Sequence, residues 1–136
     1  MSGFLLDTNV VSERRKRSPD PRVLAWSASA NASELFISVL VVGEIRHGIE
    51  RLRRRDPLQS DAIERWLEQL KTDFAERLIG VSAAVAERWG RLNAARTLPT
   101  IDGLIAATAI EHDLTLVTRD LSASVPGLRV LNPWAT

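Results

Sequence analysis

Cysteine is absent from the 136 residues. That excludes a disulfide scaffold, a thiol nucleophile and every thiolate site for zinc or an iron–sulfur cluster, and it fits a reducing compartment. Histidine is scarce: His47 and His112 are the only two, and each reads as a solvated helix position. Paired-imidazole acid–base chemistry therefore finds no carriers. No apolar run approaches the roughly 20 residues that span a bilayer. The opening, Met1 to Asp7, meets an acid too early to be a secretory signal. Repeats, low-complexity tracts and long linkers are missing too. The expectation is one domain over 1–136, large enough to bury a core without staples, cytoplasmic and away from membranes.

A dominant charge is also missing. Eighteen basic residues face 17 acidic ones, for a net charge of +1, so the whole chain lacks the strong basic signal of many nucleic-acid binders. The distribution is uneven. Residues 1–55 carry ten Lys/Arg against six Asp/Glu, and residues 56–136 carry eight against eleven. Sixteen of the basic residues are Arg; the lysines are Lys16 and Lys71. Arg presents a planar fork suited to phosphate and carboxylate, although an Arg-rich composition equally follows from a GC-rich genome.

Short apolar runs alternate with helical patterns. Phe4-Leu5-Leu6 reads as a buried strand ending at Asp7, with Asp7-Thr8-Asn9 opening a turn or helix. The basic run Arg14 to Arg17, closed by Ser18-Pro19, reads as a loop, and Asp20-Pro21 as an N-cap with proline at the first helical position. Leu35-Phe36-Ile37 is a second strand. Val39 to Arg53 has Val42, Ile45, Ile49 and Leu52 at helical spacing. A long amphipathic helix follows, with Ile63, Trp66, Leu67, Leu70 and Phe74 on one stripe. Leu78-Ile79 is a short strand, and Ser82 caps a helix bearing Val85, Trp89 and Leu92. Leu104 to Ile110 is apolar nearly all round and reads as a buried helix. Leu114 to Thr118 is the clearest strand and Val130-Leu131 the last. The pattern predicts an α/β fold, helix-rich, with a small central parallel sheet flanked by helices.

Open parallel sheets bind ligands outside the carboxyl ends of their strands. Four acids fall there: Asp7 after the first strand, Glu44 in the helix after the second, Asp102 at the start of the buried helix and Asp120 just past the clearest strand. Two carboxylates about 5 Å apart repel by roughly 3 kcal/mol at an effective dielectric near 20. A convergence of four needs protonation or a hard cation, and Mg²⁺ or Mn²⁺ suits an all-oxygen site. Each acid also has a plainer reading: a helix cap for Asp7 and Asp102, a solvated helix face for Glu44, a turn for Asp120.

Taken together, four segments resemble the motifs of PIN-domain proteins. Leu5 to Glu13 is similar to the first, Ile37 to Ile49 to the second with Gly48 four residues after Glu44, Asp102 to Ala109 to the third, and Leu116 to Asp120 to the fourth. The closing Val130 to Trp134 resembles the VapC and FitB-like toxins in particular. The resemblance implies a PIN-like fold and a Mg²⁺-dependent endoribonuclease, the toxin of a type II toxin–antitoxin pair. In that family the acids matching Asp7, Glu44, Asp102 and Asp120 form the catalytic metal site. Small polar residues matching Thr8, Asn9, Ser38 and Thr118 support it, though caps and turns account for such residues equally well. Many relatives have Asn at the position of Asp120, with Asp and Phe three and four residues on; here those places hold Ala123 and Ser124. Asp120 is thus left to supply the fourth acid alone.

Metal-activated water attacking a phosphodiester in line leaves 5′-phosphate and 3′-hydroxyl ends, and nothing in that chemistry requires the ribose 2′-hydroxyl. RNA as substrate comes from the resemblance. Arg14, Arg15, Lys16 and Arg17 lie near Asp7 in sequence, and Arg46, Arg51, Arg53, Arg54 and Arg55 form a second basic stretch. Either grips RNA phosphates or merely solvates a surface, with Arg14, Arg15, Arg17 and Arg46 the RNA-binding candidates. Trp26, Trp66, Trp89 and Trp134 suit base stacking, but core or interface packing is the expectation. The resemblance further implies a homodimer, a cognate antitoxin and operator DNA bound through that antitoxin. A second reading is a regulatory component of such a complex with little nuclease activity. A phospho-accepting receiver lacks its strand-end lysine here, and a haloacid-type phosphatase lacks the second Asp, since that place is Asn9.

Overall fold

Three apolar residues, Phe4–Leu6, make the central strand β1, and helices cover both of its faces. The computed structural model describes residues 3–135; Met1, Ser2 and Thr136, the ends of the domain expected over 1–136, lie outside the described residues. β1 pairs in parallel with β2 (Leu35–Ser38) on one side and β4 (Thr115–Val117) on the other. β3 (Leu78–Ile79) and β5 (Val130–Leu131) extend the two wings, giving the order β3-β2-β1-β4-β5 with every pairing parallel. Strands covered on both faces read as continuous apolar runs rather than alternating ones, which is why these short segments stand out. The chain adds strands outward on one side of β1 and then on the other. The crevice between the carboxyl ends of β1 and β4 is therefore a topological switch point, where α/β sheets bind ligands.

Among the described residues six α-helices flank the sheet: α1 (Thr8–Arg15), α2 (Pro21–Ser29), α3 (Val39–Leu52), α4 (Pro57–Asp73), α5 (Ala83–Ala95) and α6 (Thr100–Glu111). Five begin on a side-chain cap: Asp7, Asp20, Ser38, Asp56 and Ser82 each accept from a backbone N–H of the first turn. Proline follows the cap in α2 and α4, where its missing N–H costs nothing. The core runs through Leu5, Leu6, Ile37, Val41, Ile49, Leu67, Ile105 and Leu116. Trp134 is buried in it, and Trp26 packs edge-on against Phe4 with centroids 5.2 Å apart. Trp26, Trp66 and Trp89 are each partly buried. Among the described residues, no helix is long and apolar enough to cross a membrane.

Two expectations are corrected. The basic run is not a loop from Arg14: α1 takes in Arg14 and Arg15, its last turn. Cations there meet the negative end of the helix dipole, and Val10 and Val11 anchor the helix in the core. Glu13 then turns the chain. It is buried, accepts from the backbone N–H of Asp20 at 2.9 Å and pairs with Lys16 at 2.8 Å. Asp102 does not cap α6. The helix starts two residues earlier at Thr100, after Pro99, which offers no side-chain cap, and Asp102 lies in its first turn.

The bonds from Lys16 and the Asp20 backbone hold the Glu13 carboxyl below its ordinary range. A lowered native pKa stabilises the fold above the unfolded value, and this is lost as pH falls through the native one. Glu13→Gln should therefore cost about 1–2 kcal/mol at pH 7 by urea unfolding, with the difference from wild type vanishing in acid.

Candidate functional site

The residue after β1 is held from two sides. Asp7 accepts the Thr8 N–H at Oδ1 (2.8 Å), which caps α1, and the Thr118 hydroxyl at Oδ2 (2.7 Å). The capping reading of Asp7 thus applies alongside any role at the site. Thr118 follows β4 and is buried. A hydroxyl has one hydrogen to donate and two lone pairs to accept with. Thr118 donates to Asp7 and accepts from Asn9 Nδ2 (3.2 Å) and the Asp120 N–H (3.0 Å), which saturates it. Asn9 Oδ1 in turn accepts the Arg119 N–H at 3.3 Å. The first and last of the four segments are thereby locked across the switch point.

Glu44 lies in the second turn of α3 and is half-buried. The Thr8 hydroxyl donates to its Oε1, so Glu44 is tied to the residue next to Asp7 rather than free in solvent. Ser38 is fully buried, and its hydroxyl accepts the Leu40 N–H at 3.0 Å. It therefore fixes the start of α3 and bears on Glu44 through the backbone. Asp120 is exposed and accepts the Ser122 N–H at 2.9 Å. Bonding to Ser122 holds its carboxyl below the usual range, as the turn reading anticipates.

Asp102 differs from the other three. Among the described residues its carboxylate has no hydrogen bond and no ion pair. Burial, and after it the negative charge of Asp7, Asp120 and Glu44, pushes its carboxyl above the ordinary range. Three acids from three other segments thus act on Asp102 at one end of the sheet. Among the described residues no three acidic or imidazole groups already enclose a common point; the carboxylates share a field without forming a finished shell. The donor set is all oxygen, and its half-buried member Asp102 has no cation beside it among the described residues. A hard divalent cation fits such a set.

The basic candidates are placed differently from one another. Arg15 lies 5.7 Å over the Trp66 ring and lines a groove that ends at Glu44. Arg14 lines a separate groove between α1 and α4, together with Asp73. Arg17 is exposed in the turn after α1. Arg46 is spent on α4, bonding Glu64 at 3.0 Å, and on Glu50 of its own helix at 3.3 Å. One contact escaped the sequence reading: a Cβ at Gly103 would meet Trp89 Cδ1 at 3.0 Å. Glycine there lets α5 and α6 close up directly beside Asp102. Its signal was a poor helix former immediately after an acid at a helix start.

The PIN domain family matches residues 4–125. Toxin FitB of Neisseria gonorrhoeae is 33% identical over 140 residues, spanning 96% of this chain and 98% of its own length. VapC ribonuclease Y4jK of Sinorhizobium fredii is 33% identical over 136 residues, spanning 96% of this chain and 97% of its own. The structure of FitAB bound to an IR36 DNA fragment superposes with a TM-score of 0.85 at 31% identity, covering 96% of this chain and 95% of that one.

A group whose native pKa lies above its unfolded value destabilises the fold where it is charged, and the penalty lifts as pH falls through the native pKa. In metal-free buffer at pH 7, Asp102→Asn should therefore unfold at higher urea than wild type. The gap should narrow in acid, where the native carboxyl takes up its proton. A variant less stable than wild type at pH 7 would contradict the unpaired state of Asp102.

Proposed function

The chain belongs to the PIN domain family, among toxins of the FitB and VapC type, and from that premise we propose that it is a metal-dependent endoribonuclease, the toxin of a type II toxin–antitoxin pair. The observation that carries this reading is the Asp102 carboxylate, unpaired and raised by burial and by the field of Asp7, Asp120 and Glu44. A structural acid would have been given a hydrogen-bond donor, as Glu13 was.

The ion proposed is Mg²⁺, with Mn²⁺ able to substitute. Asp7 and Asp102 are its principal ligands, Asp120 completes the set, and Glu44 binds directly or through water. When bound, such a cation lowers the pKa of water and stabilises charge building on phosphate oxygens during in-line displacement. The remaining work belongs to the chain. Thr118 and the Thr8 N–H orient the two oxygens of Asp7. The Thr8 hydroxyl tethers Glu44 beside the end of β1. Asn9 holds the β4 end in register through Thr118 and Arg119. Support of this kind from behind the ligands fixes their geometry.

The proposed partners are an RNA substrate, a cognate antitoxin, operator DNA reached through that antitoxin, and a second copy of the chain. The likeness to FitAB, a complex seen bound to a DNA fragment, supports the DNA-bound assembly.

Purified protein should cleave RNA, lose that activity in EDTA, and recover it with Mg²⁺ or Mn²⁺. Asp7→Asn and Asp102→Asn should abolish cleavage while the proteins still unfold cooperatively. Full cleavage by a folded Asp7→Asn protein would refute the mechanism. Thr118→Val, which leaves all four acids in place, should lower metal affinity by about 10–100-fold, as read by Mn²⁺ titration.

A further inference from the structure

The structure sorts the arginines after Glu44 into two sets. Arg46 and Arg53 are consumed between α3 and α4: Arg53 bonds Glu50 of α3 and Glu64 of α4, each at 2.9 Å, and Arg46 bonds the same two acids. Arg51 and Arg55 have no carboxylate partner among the described residues, and neither has Arg15. The division follows from helix geometry. Glu44, Gly48 and Arg51 recur at four and then three residues, which is a single stripe of α3. Arg55, four residues further on, lies just past the helix end and lines the same groove as Arg51. Arg46 and Arg53 fall on another face.

The unpaired arginines line connected ground. One groove runs between Glu44, Arg15 and Trp66, with Gly48 in its wall. The next is formed by Gly48, Arg51, Leu52 and Arg55. Gly48 is where the two meet, and a Cβ added there would touch nothing within 4 Å. The absence of a side chain leaves the passage open without serving any packing need. Arg51 lies about 10 Å along the helix axis from Glu44, so the path reaches a few nucleotides beyond the acid cluster.

We propose that this stripe is the track for the phosphate backbone of a single-stranded nucleic acid, gripped by Arg15, Arg51 and Arg55 as it leaves the acid cluster past Gly48. The inference rests on the nuclease reading for the direction of travel and adds to it the side on which substrate extends. An anionic chain suits the track because, among the described residues, its cations have no carboxylate partner, and a single strand suits it because the passage follows one helix stripe beside a single aromatic side chain, Trp66. Arg46, whose guanidinium bonds Glu64 and Glu50, lies on the other face of α3 and is not part of the track.

The test reads binding of a fluorescent uridine oligomer to the full chain in EDTA, across a salt series. Arg51→Gln/Arg55→Gln should weaken binding by about tenfold at low salt and flatten the log–log salt slope by about 1.4, at about 0.7 for each phosphate no longer neutralised. Arg54→Gln is the matched control: it removes a neighbouring arginine that has no carboxylate partner among the described residues and lies outside both grooves, and it should leave the slope unchanged. Gly48→Leu should obstruct the passage and weaken binding while unfolding at the same urea concentration as wild type or higher. If the double variant and Gly48→Leu bind as wild type, the track is wrong, and Mg²⁺-dependent cleavage in the same samples keeps the nuclease reading standing. If no divalent ion supports cleavage but these variants still lose the oligomer, the nuclease reading fails and the track survives. Tighter binding of polyglutamate than of the oligomer at equal salt would overturn the track in favour of an acidic peptide.

Discussion

Carboxylates brought together repel one another, and the organisation of this protein's switch point is an answer to that repulsion. Asp7 is neutralised in part by a hydroxyl and a backbone N–H, Glu44 by the Thr8 hydroxyl, and Asp120 by the start of a short turn. Each of these donors is uncharged. Among the described residues no arginine or lysine pairs with any of the three, so their negative field persists and falls on Asp102. A fold selected only for stability would place a cation there or bury a neutral side chain. Orienting the acids with neutral donors keeps the site both ordered and negative, which is the condition for capturing a hard cation.

The hydroxyl of Thr118 carries much of that order. Its single hydrogen goes to Asp7, and its lone pairs take Asn9 and the backbone of Asp120. One buried atom thus joins the ends of β1 and β4, the strands that flank the switch point. On the other side of β1, Thr8 does the same for α3 through Glu44. The arginines follow a parallel logic at longer range. Those facing α4 are matched with acids and staple two helices, whereas those on the stripe leading away from Glu44 are left unmatched among the described residues. Ion pairs at the surface contribute little to stability, so the unmatched set costs the fold little.

Much of the fold was legible in the order of residues. All five strands lie where short apolar runs predict them, because a parallel sheet covered on both faces needs no polar alternation. Asp20-Pro21 and Ser82 announced their helices by cap chemistry alone. The extent of α1 was less legible. Arg14 and Arg15 resemble a charged loop in isolation, and only the burial of Val10, Val11 and Glu13 shows the helix continuing through them. Asp102 read as a cap for the same kind of reason: the true start, Thr100 after Pro99, has no side-chain cap to advertise it.

The sequence by itself determined the element order and which side chains stand at strand ends and helix starts, since periodicity and capping are properties of neighbouring residues. Through its family resemblance it also pointed to four acids as one site. What only the tertiary structure decided is which donors those acids receive and which arginines remain unspent. Asp7 meets Thr118 across 111 residues of chain, and Arg46 meets Glu64 on a different helix. Pairings of that kind depend on how strands and helices stack, and no local pattern of residue types encodes them.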